Sequence, residues 1–388
     1  MNSHAPRWIT AAAITCTAIL VPAVALTPVG GAAAVGLPAS AARPARPVIA
    51  YVANLGGNTV IPVNTATNKA GKAIKVGPGP DGIAITPNGK TAYVANGGLP
   101  PAGSDTVTPI RIATSTALRP VRVGSGRGIG PDAIAITPDG KTAYVPSYSD
   151  GTVTPIRTAT NTALRPIKAG FSPIAIAITP TGKTAYVTNS GSGTVTPINT
   201  ATNTALKAIK VGNSPEAIAI TPDGKTAYVA NSGTVTPIRI ATNTALKPIK
   251  AGSYPAAIAI SPDGKTAYVA DSGSDTVTPI RIATNTALKP IKTGFNPVAI
   301  AITPNGKTAY VANLGSDTVT PINTATNTAL KPIKSGGGPA VIAITPNGKT
   351  AYVANYDSGT VTPINTATNT ALKPIKTGKN PAFITITP

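Results

Sequence analysis

The sequence predicts an all-β fold, a single β-propeller of four-stranded antiparallel blades, on three observations. A tyrosine recurs at the same place in every repeat, each repeat holds four strand-like segments, and the two chain ends supply complementary parts of one more repeat. A period near 40 residues with four strands is typical of propeller blades. The tyrosines are separated by 42, 51, 42, 42, 40, 42 and 42 residues: Tyr51, Tyr93, Tyr144, Tyr186, Tyr228, Tyr268, Tyr310 and Tyr352.

One repeat, residues 299–335, shows the four strands, which we name A to D in chain order. "AIAITP" and "TAYVAN" alternate along the chain around the turn "NGK", and "VTPIN" and "LKPIK" follow after polar turns. Period-2 alternation bounded by Asn-Gly and Ser-Gly clusters predicts antiparallel strands. Lys and Pro in strand D suit the outer edge of a blade, where they oppose pairing with other molecules.

Strand C carries a proline in nearly every repeat, for example Pro109 and Pro279. Proline cannot donate a ladder hydrogen bond, so a central strand should exclude it. Two arrangements stay open: the missing amide faces an unpaired gap, or strand D is short and partly detached.

The chain ends predict how the ring closes. Val48–Asn54 reads as a strand B with no strand A before it, and Ala382–Pro388 reads as a strand A with no strand B after it. We therefore expect the C-terminal inner strand to complete the N-terminal blade. Counting the strand A copies gives eight blades, with seven as the alternative.

The repeats resemble the YVTN family of β-propeller repeats, whose motif stands unaltered at Tyr186-Val187-Thr188-Asn189. The resemblance spans about residues 48–388. It implies a bacterial or archaeal exported or cell-surface propeller, often seven-bladed and mostly without assigned activity.

Residues 1–42 differ from the repeats and predict a signal peptide with a short pro-like segment, leaving 43–388 as the propeller. Arg7 precedes an apolar run from Trp8 to Leu26, followed by small residues. An uncleaved membrane anchor is the alternative. Secretion or cell-surface display is expected, and cleavage would remove Cys16 and His4, the only Cys and His of the chain.

The formal charge of +21 favours polyanionic partners such as an anionic cell-wall polymer. The lysines recur one to three times in each repeat and form no cluster, so the sequence predicts a rim of separate cations. Nucleic acid is excluded as a partner because no aromatic-basic stacking motif accompanies the charge.

Acidic residues offer little for catalysis. Asp139, Asp223 and Asp263 occupy the A–B turn, where Asn replaces them in other repeats, and the acids of the B–C loops read as solvated turns. Three acids follow a proline just before strand A and are weak metal candidates: Asp81, Asp132 and Glu216. Without His or Cys in the propeller, no cofactor is expected and an enzyme is disfavoured.

A ligand site is expected on the face that carries the D–A links and B–C loops. Two insertions depart from the repeat there, Gly97–Asp105 and Gly124–Asp132. The candidate binding residues are those in or beside these segments and the non-repeat aromatics: Leu99, Arg127, Tyr148, Phe171, Tyr254, Phe295 and Tyr356.

Three functions follow from these features. The favoured one is an exported binding or scaffold module for a cell-envelope protein or glycan. The second is a polyanion binder that uses rim lysines, and the third is a propeller enzyme of the lactonase or hydrolase kind. A membrane partner is expected only if the leader stays uncleaved.

Overall fold

A computed structural model describes residues 47–97, 104–125, 128 and 130–388. They form a closed ring of eight antiparallel blades, so the all-β propeller prediction is confirmed and the count of eight replaces the alternative of seven. We number the blades I to VIII, starting from the blade that contains Tyr51. The leader predicted at 1–42 lies outside the described residues.

The inner and middle strands are six residues long in most blades. Strand A spans Pro381–Ile386 in blade I and, from II to VIII, Pro80–Ile85, Ala135–Ile136, Pro173–Ile178, Ala217–Ile220, Pro255–Ile260, Pro297–Ile302 and Pro339–Ile344. Strand B spans, from blade I, Ile49–Asn54, Thr91–Asn96, Thr142–Ser147, Thr184–Asn189, Thr226–Asn231, Thr266–Asp271, Thr308–Asn313 and Thr350–Asn355. Strand C spans Thr59–Asn64, Thr106–Arg111, Thr152–Arg157, Thr194–Asn199, Thr234–Arg239, Thr276–Arg281, Thr318–Asn323 and Thr360–Asn365.

Strand D is split into two pieces of two residues, both paired with strand C. The first piece spans, from blade I, Lys69–Ala70, Thr116–Ala117, Thr162–Ala163, Thr204–Ala205, Thr244–Ala245, Thr286–Ala287, Thr328–Ala329 and Thr370–Ala371. The second piece spans Ile74–Lys75, Val121–Arg122, Ile167–Lys168, Ile209–Lys210, Ile249–Lys250, Ile291–Lys292, Ile333–Lys334 and Ile375–Lys376, each with a buried apolar residue followed by an exposed cation.

The split in strand D shows how strand C accommodates proline. Ile280 pairs with the first piece and Val277 with the second, and Pro279 lies between them. The carbonyl of Pro279 accepts a hydrogen bond from the N–H of Leu288 on the strand D side. In an antiparallel strand the N and C=O of one residue point to the same neighbour, so the missing amide also faces the gap. The two arrangements left open by the sequence therefore occur together.

The ring closes through the two chain ends, as the sequence predicts. Tyr51 of strand B pairs with Thr385 of strand A in blade I. The N–H of Ile49 donates to Thr387 Oγ1 at 2.9 Å, across 338 positions of sequence.

Each repeat tyrosine is buried between its own blade and the next, which confirms its predicted core role. Its hydroxyl also makes a hydrogen bond that the sequence did not predict. Tyr228 of blade V donates to Asn285 Oδ1 of blade VI at 2.6 Å, and Asn285 has a φ of 51°, a left-handed conformation that Asn tolerates better than most residues. The same bond recurs around the ring, with Ser115 in place of Asn as the partner of Tyr51. The Asn in each "TATN" turn therefore fastens one blade to its neighbour.

Helical structure is confined to two single turns, Leu55–Gly57 and Ile112–Thr114, in the part of the chain that the structure describes. No helix within the described ranges is long and apolar enough to cross a membrane.

Candidate active site

The D–A links and B–C loops share one side of the ring, which we call the loop face. Backbone hydrogen bonds join the two segments, for example from Leu314 to Asn296 and from Tyr356 to Gly338. Strand A begins at this face, so any side chain just before it lies near the inner edge of the ring.

Two of the three acids predicted at the start of strand A come together, in adjacent blades. Asp81 belongs to blade II and is buried, whereas Asp132 belongs to blade III and is half-buried. The two carboxyl groups are close enough to interact electrostatically. Glu216 lies in blade V, three blades from Asp81, and its N–H donates to the carbonyl of Ala230. Among the described residues no three Asp, Glu, His or Cys side chains converge on a point that could hold a metal ion.

A β-bulge places Asp81. Pro80 pairs with Asn96 and Gly82 with Ala95, so Asp81 is an extra residue that the partner strand does not match. Bulges redirect a side chain from its regular alternation. Asp81 is only 2% exposed, and its Oδ1 accepts no hydrogen bond from any residue that the structure describes.

Two glycines make room for Asp132. A Cβ on Gly82 would lie 2.6 Å from the carbonyl oxygen of Asp132, and a Cβ on Gly97 would lie 2.6 Å from Asp132 Oδ1. The equivalent positions of the other blades carry side chains, such as Ala175 for Gly82 and Leu314 for Gly97. These two departures from the repeat are the sequence signal that could have identified the site.

Burial and proximity raise the pKa values of both acids. The pKa of Asp81 is well above its usual value, first because burial disfavours the charged form and second because Asp132 lies close to it. Burial raises the pKa of Asp132 to about 7. Two neighbouring carboxyl groups with raised pKa values resist ionising together, so the pair can hold a proton at a pH where ordinary carboxyl groups have lost theirs.

Tyr356 belongs to the same electrostatic neighbourhood. Burial, then the charges of Asp81 and Asp357, raise its pKa to about 12, so the hydroxyl stays protonated and can donate a hydrogen bond. Tyr356 is half-buried and packs against the apolar cluster of blades I, II and VIII.

The other predicted binding residues are spread over the loop face. Phe171, Tyr254 and Phe295 are 79%, 62% and 56% exposed, on the links before blades IV, VI and VII. Tyr148 is half-buried against the cluster that contains Ile174. Leu99 and Arg127 lie outside the described residues, as does most of the insertion that begins at Gly97.

The remaining acids have structural roles. The turn role of Asp139, Asp223 and Asp263 is confirmed: Asp223 Oδ1 accepts hydrogen bonds from Thr221 and from the N–H of Lys225, and the nearby Lys225 ammonium forms an exposed ion pair. The solvated-turn interpretation is wrong for Asp105, which is 2% exposed because the inserted link folds over it at Gly124 and Gly130.

A buried polar ring at the end of strand B contains a further titratable group. The ring position is Asn in six blades, Ser147 in blade III and Asp271 in blade VI. Asn313 Nδ2 donates to two threonine hydroxyls of strand C, whereas in blade VI Thr278 donates to Asp271 Oδ2 at 2.6 Å. Burial raises the pKa of Asp271 to about 6, against the lowering effect of these hydrogen bonds.

Comparison with known proteins gives a partial family match. The family model "Lactonase, 7-bladed beta-propeller" matches residues 167–333, from the outer strand of blade III to that of blade VII. Asp81 and Asp132 lie outside this stretch. No curated protein matches the chain.

Solved propellers resemble most of the ring. Hydrazine synthase of Kuenenia stuttgartiensis is 25% identical with a TM-score of 0.61, over 75% of this chain and 96% of that one. The dihydro-heme d1 dehydrogenase NirN is 14% identical with a TM-score of 0.73, over 85% and 73%. A protein of Bacteroides fragilis NCTC 9343, provisionally named a 6-phosphogluconolactonase, is 21% identical with a TM-score of 0.57, over 77% and 99%.

These comparisons contradict the prediction about enzymatic activity and support only part of the predicted family resemblance. The expectation that the chain is not an enzyme is contradicted by the lactonase family model, which matches blades IV to VII. The absence of His and Cys had argued against catalysis, but two neighbouring carboxyl groups with raised pKa values can also serve as an acid and base pair. The comparisons support a propeller without singling out the YVTN repeats, and none supports the binding or scaffold interpretation.

Proposed function

We propose that this protein is a propeller hydrolase that opens cyclic esters, with Asp81 and Asp132 as its acid and base. The observation that carries the proposal is the adjacent pair of shielded carboxyl groups in blades II and III, on a chain whose blades IV to VII match a lactonase model. An enzyme that works near neutral pH needs one group ready to accept a proton and another ready to donate one.

The proposed reaction uses the two protonation states in turn. Ionised Asp132 accepts a proton from water as the water oxygen bonds to the lactone carbonyl carbon. Neutral Asp81 donates its proton to the ring oxygen as the carbon to ring-oxygen bond breaks. Water and lactone become a hydroxy acid, and transfer of one proton from Asp132 to Asp81 restores the pair. Tyr356, whose pKa is raised to about 12 chiefly by burial, can donate a hydrogen bond to the carbonyl oxygen.

Haem chemistry, which the name of NirN denotes for that protein, is not part of the proposal. Residues 47–388 contain no His, Cys or Met, the side chains that most often hold haem iron. The donor set therefore does not fit that group.

The pKa values give the proposal a definite pH dependence. Asp132 must be ionised to act as a base, so kcat/KM should rise with pH around a midpoint of about 7. Asp81 must keep its proton, so activity should fall again where Asp81 ionises, and its raised pKa moves that fall to higher pH than an ordinary carboxyl group would give.

The test is hydrolysis of glucono-δ-lactone, 6-phosphoglucono-δ-lactone and γ-butyrolactone, followed by acid release. Asp132→Asn and Asp81→Asn should each lower kcat about 100-fold or more, with KM little changed. Asp223→Asn is the matched control, because that acid lies in an exposed turn on the opposite side of the blades.

Two results would refute the assignment of the pair. One is hydrolysis that persists in both Asp→Asn variants, and the other is a pH profile with no limb near 7. Absence of activity on all three lactones would refute the proposed reaction itself.

A further inference from the structure

The loop face carries a second feature, remote from the acid pair. Nine aromatic side chains of the described residues are buried in the ring, and the other five all lie on this face. Phe171, Tyr254 and Phe295 are the most exposed of them. Blades VI and VII, which carry two of the three, stand opposite blades II and III in a ring of eight.

Each exposed aromatic rests on a glycine of the B–C loop in its own blade. A Cβ on Gly273 would lie 2.6 Å from Tyr254 Cδ2, and a Cβ on Gly315 would collide with the ring of Phe295. Phe171 contacts Gly191 through its Cβ. One side of the aromatic residue is therefore supported by backbone while most of its surface stays open to solvent.

A serine after each glycine fixes the link that carries the aromatic. The N–H of Phe171 donates to Ser192 Oγ and that of Phe295 to Ser316 Oγ, both at 3.1 Å. In blade VI the N–H of Ser253 donates to Ser274 Oγ at 2.6 Å. Glycine, serine and an exposed aromatic thus occur together in blades IV, VI and VII, which indicates a repeated, rigid arrangement.

The turn segments that hold the aromatics are polar and contain no Lys or Arg, and exposed lysines lie just before them at the end of strand D, at Lys168, Lys250 and Lys292. The turn segments 170–173, 190–193, 252–255, 272–275, 294–297 and 314–317 contain serine hydroxyls and the Asn296 amide, and no Lys or Arg. Asp275 Oδ1 accepts a hydrogen bond from the N–H of Asn296 at 2.8 Å. Because the turns themselves offer hydroxyl, amide and carboxylate groups and no cation, they suit a neutral polyhydroxylated ligand better than a polyanion.

We propose that Phe171, Tyr254 and Phe295 form a carbohydrate-binding platform for a neutral glycan. Each ring can stack on the apolar face of a sugar while nearby hydroxyl and amide groups pair with sugar hydroxyls. Rings on three blades give three separate contacts, so one extended glycan gains from binding several at once. The platform does not depend on the lactonase proposal.

The test is depletion of the purified protein by microcrystalline cellulose, chitin and amylose resin, in about 0.5 M NaCl to screen charge. Binding to at least one of the three is expected. Each single replacement by Ala should weaken it about tenfold, and the triple variant should abolish it. Gly315→Ala keeps every ring but displaces Phe295, so it should also weaken binding.

The controls distinguish stacking on the platform from nonspecific adsorption. Leu330→Ala removes an exposed apolar side chain from the segment between the two pieces of strand D and should leave binding unchanged, as should Asp132→Asn. The proposal is overturned by no binding to any of the three polysaccharides, or by binding that survives the triple replacement. Binding to phosphatidylcholine vesicles in place of polysaccharide, lost in the triple variant, would also overturn it and assign the platform to a lipid surface.

Discussion

Replacing Asp271 by Asn should stabilise the protein at alkaline pH and not at acid pH. Asp271 is fully buried and takes the place that Asn occupies in most other blades. Its pKa of about 6 in the folded protein lies above the value of 3.8 expected in the unfolded chain. At about 1.4 kcal/mol for each pH unit, this difference corresponds to roughly 3 kcal/mol.

The sign follows from proton linkage. Because folding raises the pKa, the folded state prefers the neutral acid, and the free energy of unfolding falls as pH rises from about 4 to about 6. Above that range the full cost is present in the wild type. In the Asp271→Asn variant the amide carries no charge and can donate to Thr276 and Thr278, as the amide of Asn313 does to its threonines in blade VII.

The assay is thermal unfolding at pH 4 and pH 8. With an entropy of unfolding near 2.1 cal/mol/K for each residue, about 3 kcal/mol raises the Tm of a propeller of this size by about 4 °C at pH 8. The reciprocal variant Asn313→Asp should lower the Tm at pH 8 and gain the same pH dependence. An equal gain at both pH values would refute the reasoning, because it would show that the buried charge is not its source.

Three further predictions concern the ring and the acid pair. Tyr228→Phe leaves Asn285 Oδ1 without its donor and should lower the free energy of unfolding by about 1 to 2 kcal/mol in urea titration. Gly82→Ala forces the added methyl against the backbone of Asp132 and should cost about 1 to 3 kcal/mol while also reducing lactone hydrolysis. Deleting residues 381–388 leaves blade I without its inner strand, so protease resistance should be lost throughout the ring.

Two of these variants have a matched control in the chain. Tyr254→Phe removes a tyrosine hydroxyl from an exposed side chain and should leave stability within about 0.5 kcal/mol. Gly337→Ala, where φ is not positive and an added Cβ comes no closer than 3.5 Å to another residue, measures the Gly-to-Ala exchange without a clash. Loss of stability in the controls equal to that in the tested variants would contradict the contacts invoked.

The fold could be predicted from the sequence because its determinants are local and repeated. The tyrosine period, the turn residues and the unmatched strands at the two ends suffice for a closed ring of eight blades. The bond from Tyr228 to Asn285 was not predictable in the same way, since it joins residues 57 positions apart whose meeting depends on how far one blade turns relative to the next. The split in strand D was likewise not predictable, because it depends on how strand D pairs with strand C on either side of Pro279.

The acid pair was visible only in part. The sequence places Asp81 and Asp132 at the same point of successive repeats, so their proximity follows from the ring. Their burial does not, because it depends on the bulge at Asp81 and on the missing side chains of Gly82 and Gly97. Burial raises their pKa values, and the sequence around an acid in a turn does not show whether the folded chain buries it.

Blade I combines strands from distant parts of the chain, and this affects how the protein folds. Strands B and C of this blade are synthesised long before its strand A, so the ring cannot close until residues 381–386 have been made. Strand A must then pair with a strand that lies more than 300 positions earlier, and the entropic cost of this long loop closure falls in a single step. The other seven blades each take all their strands from one continuous stretch of chain and do not depend on this step.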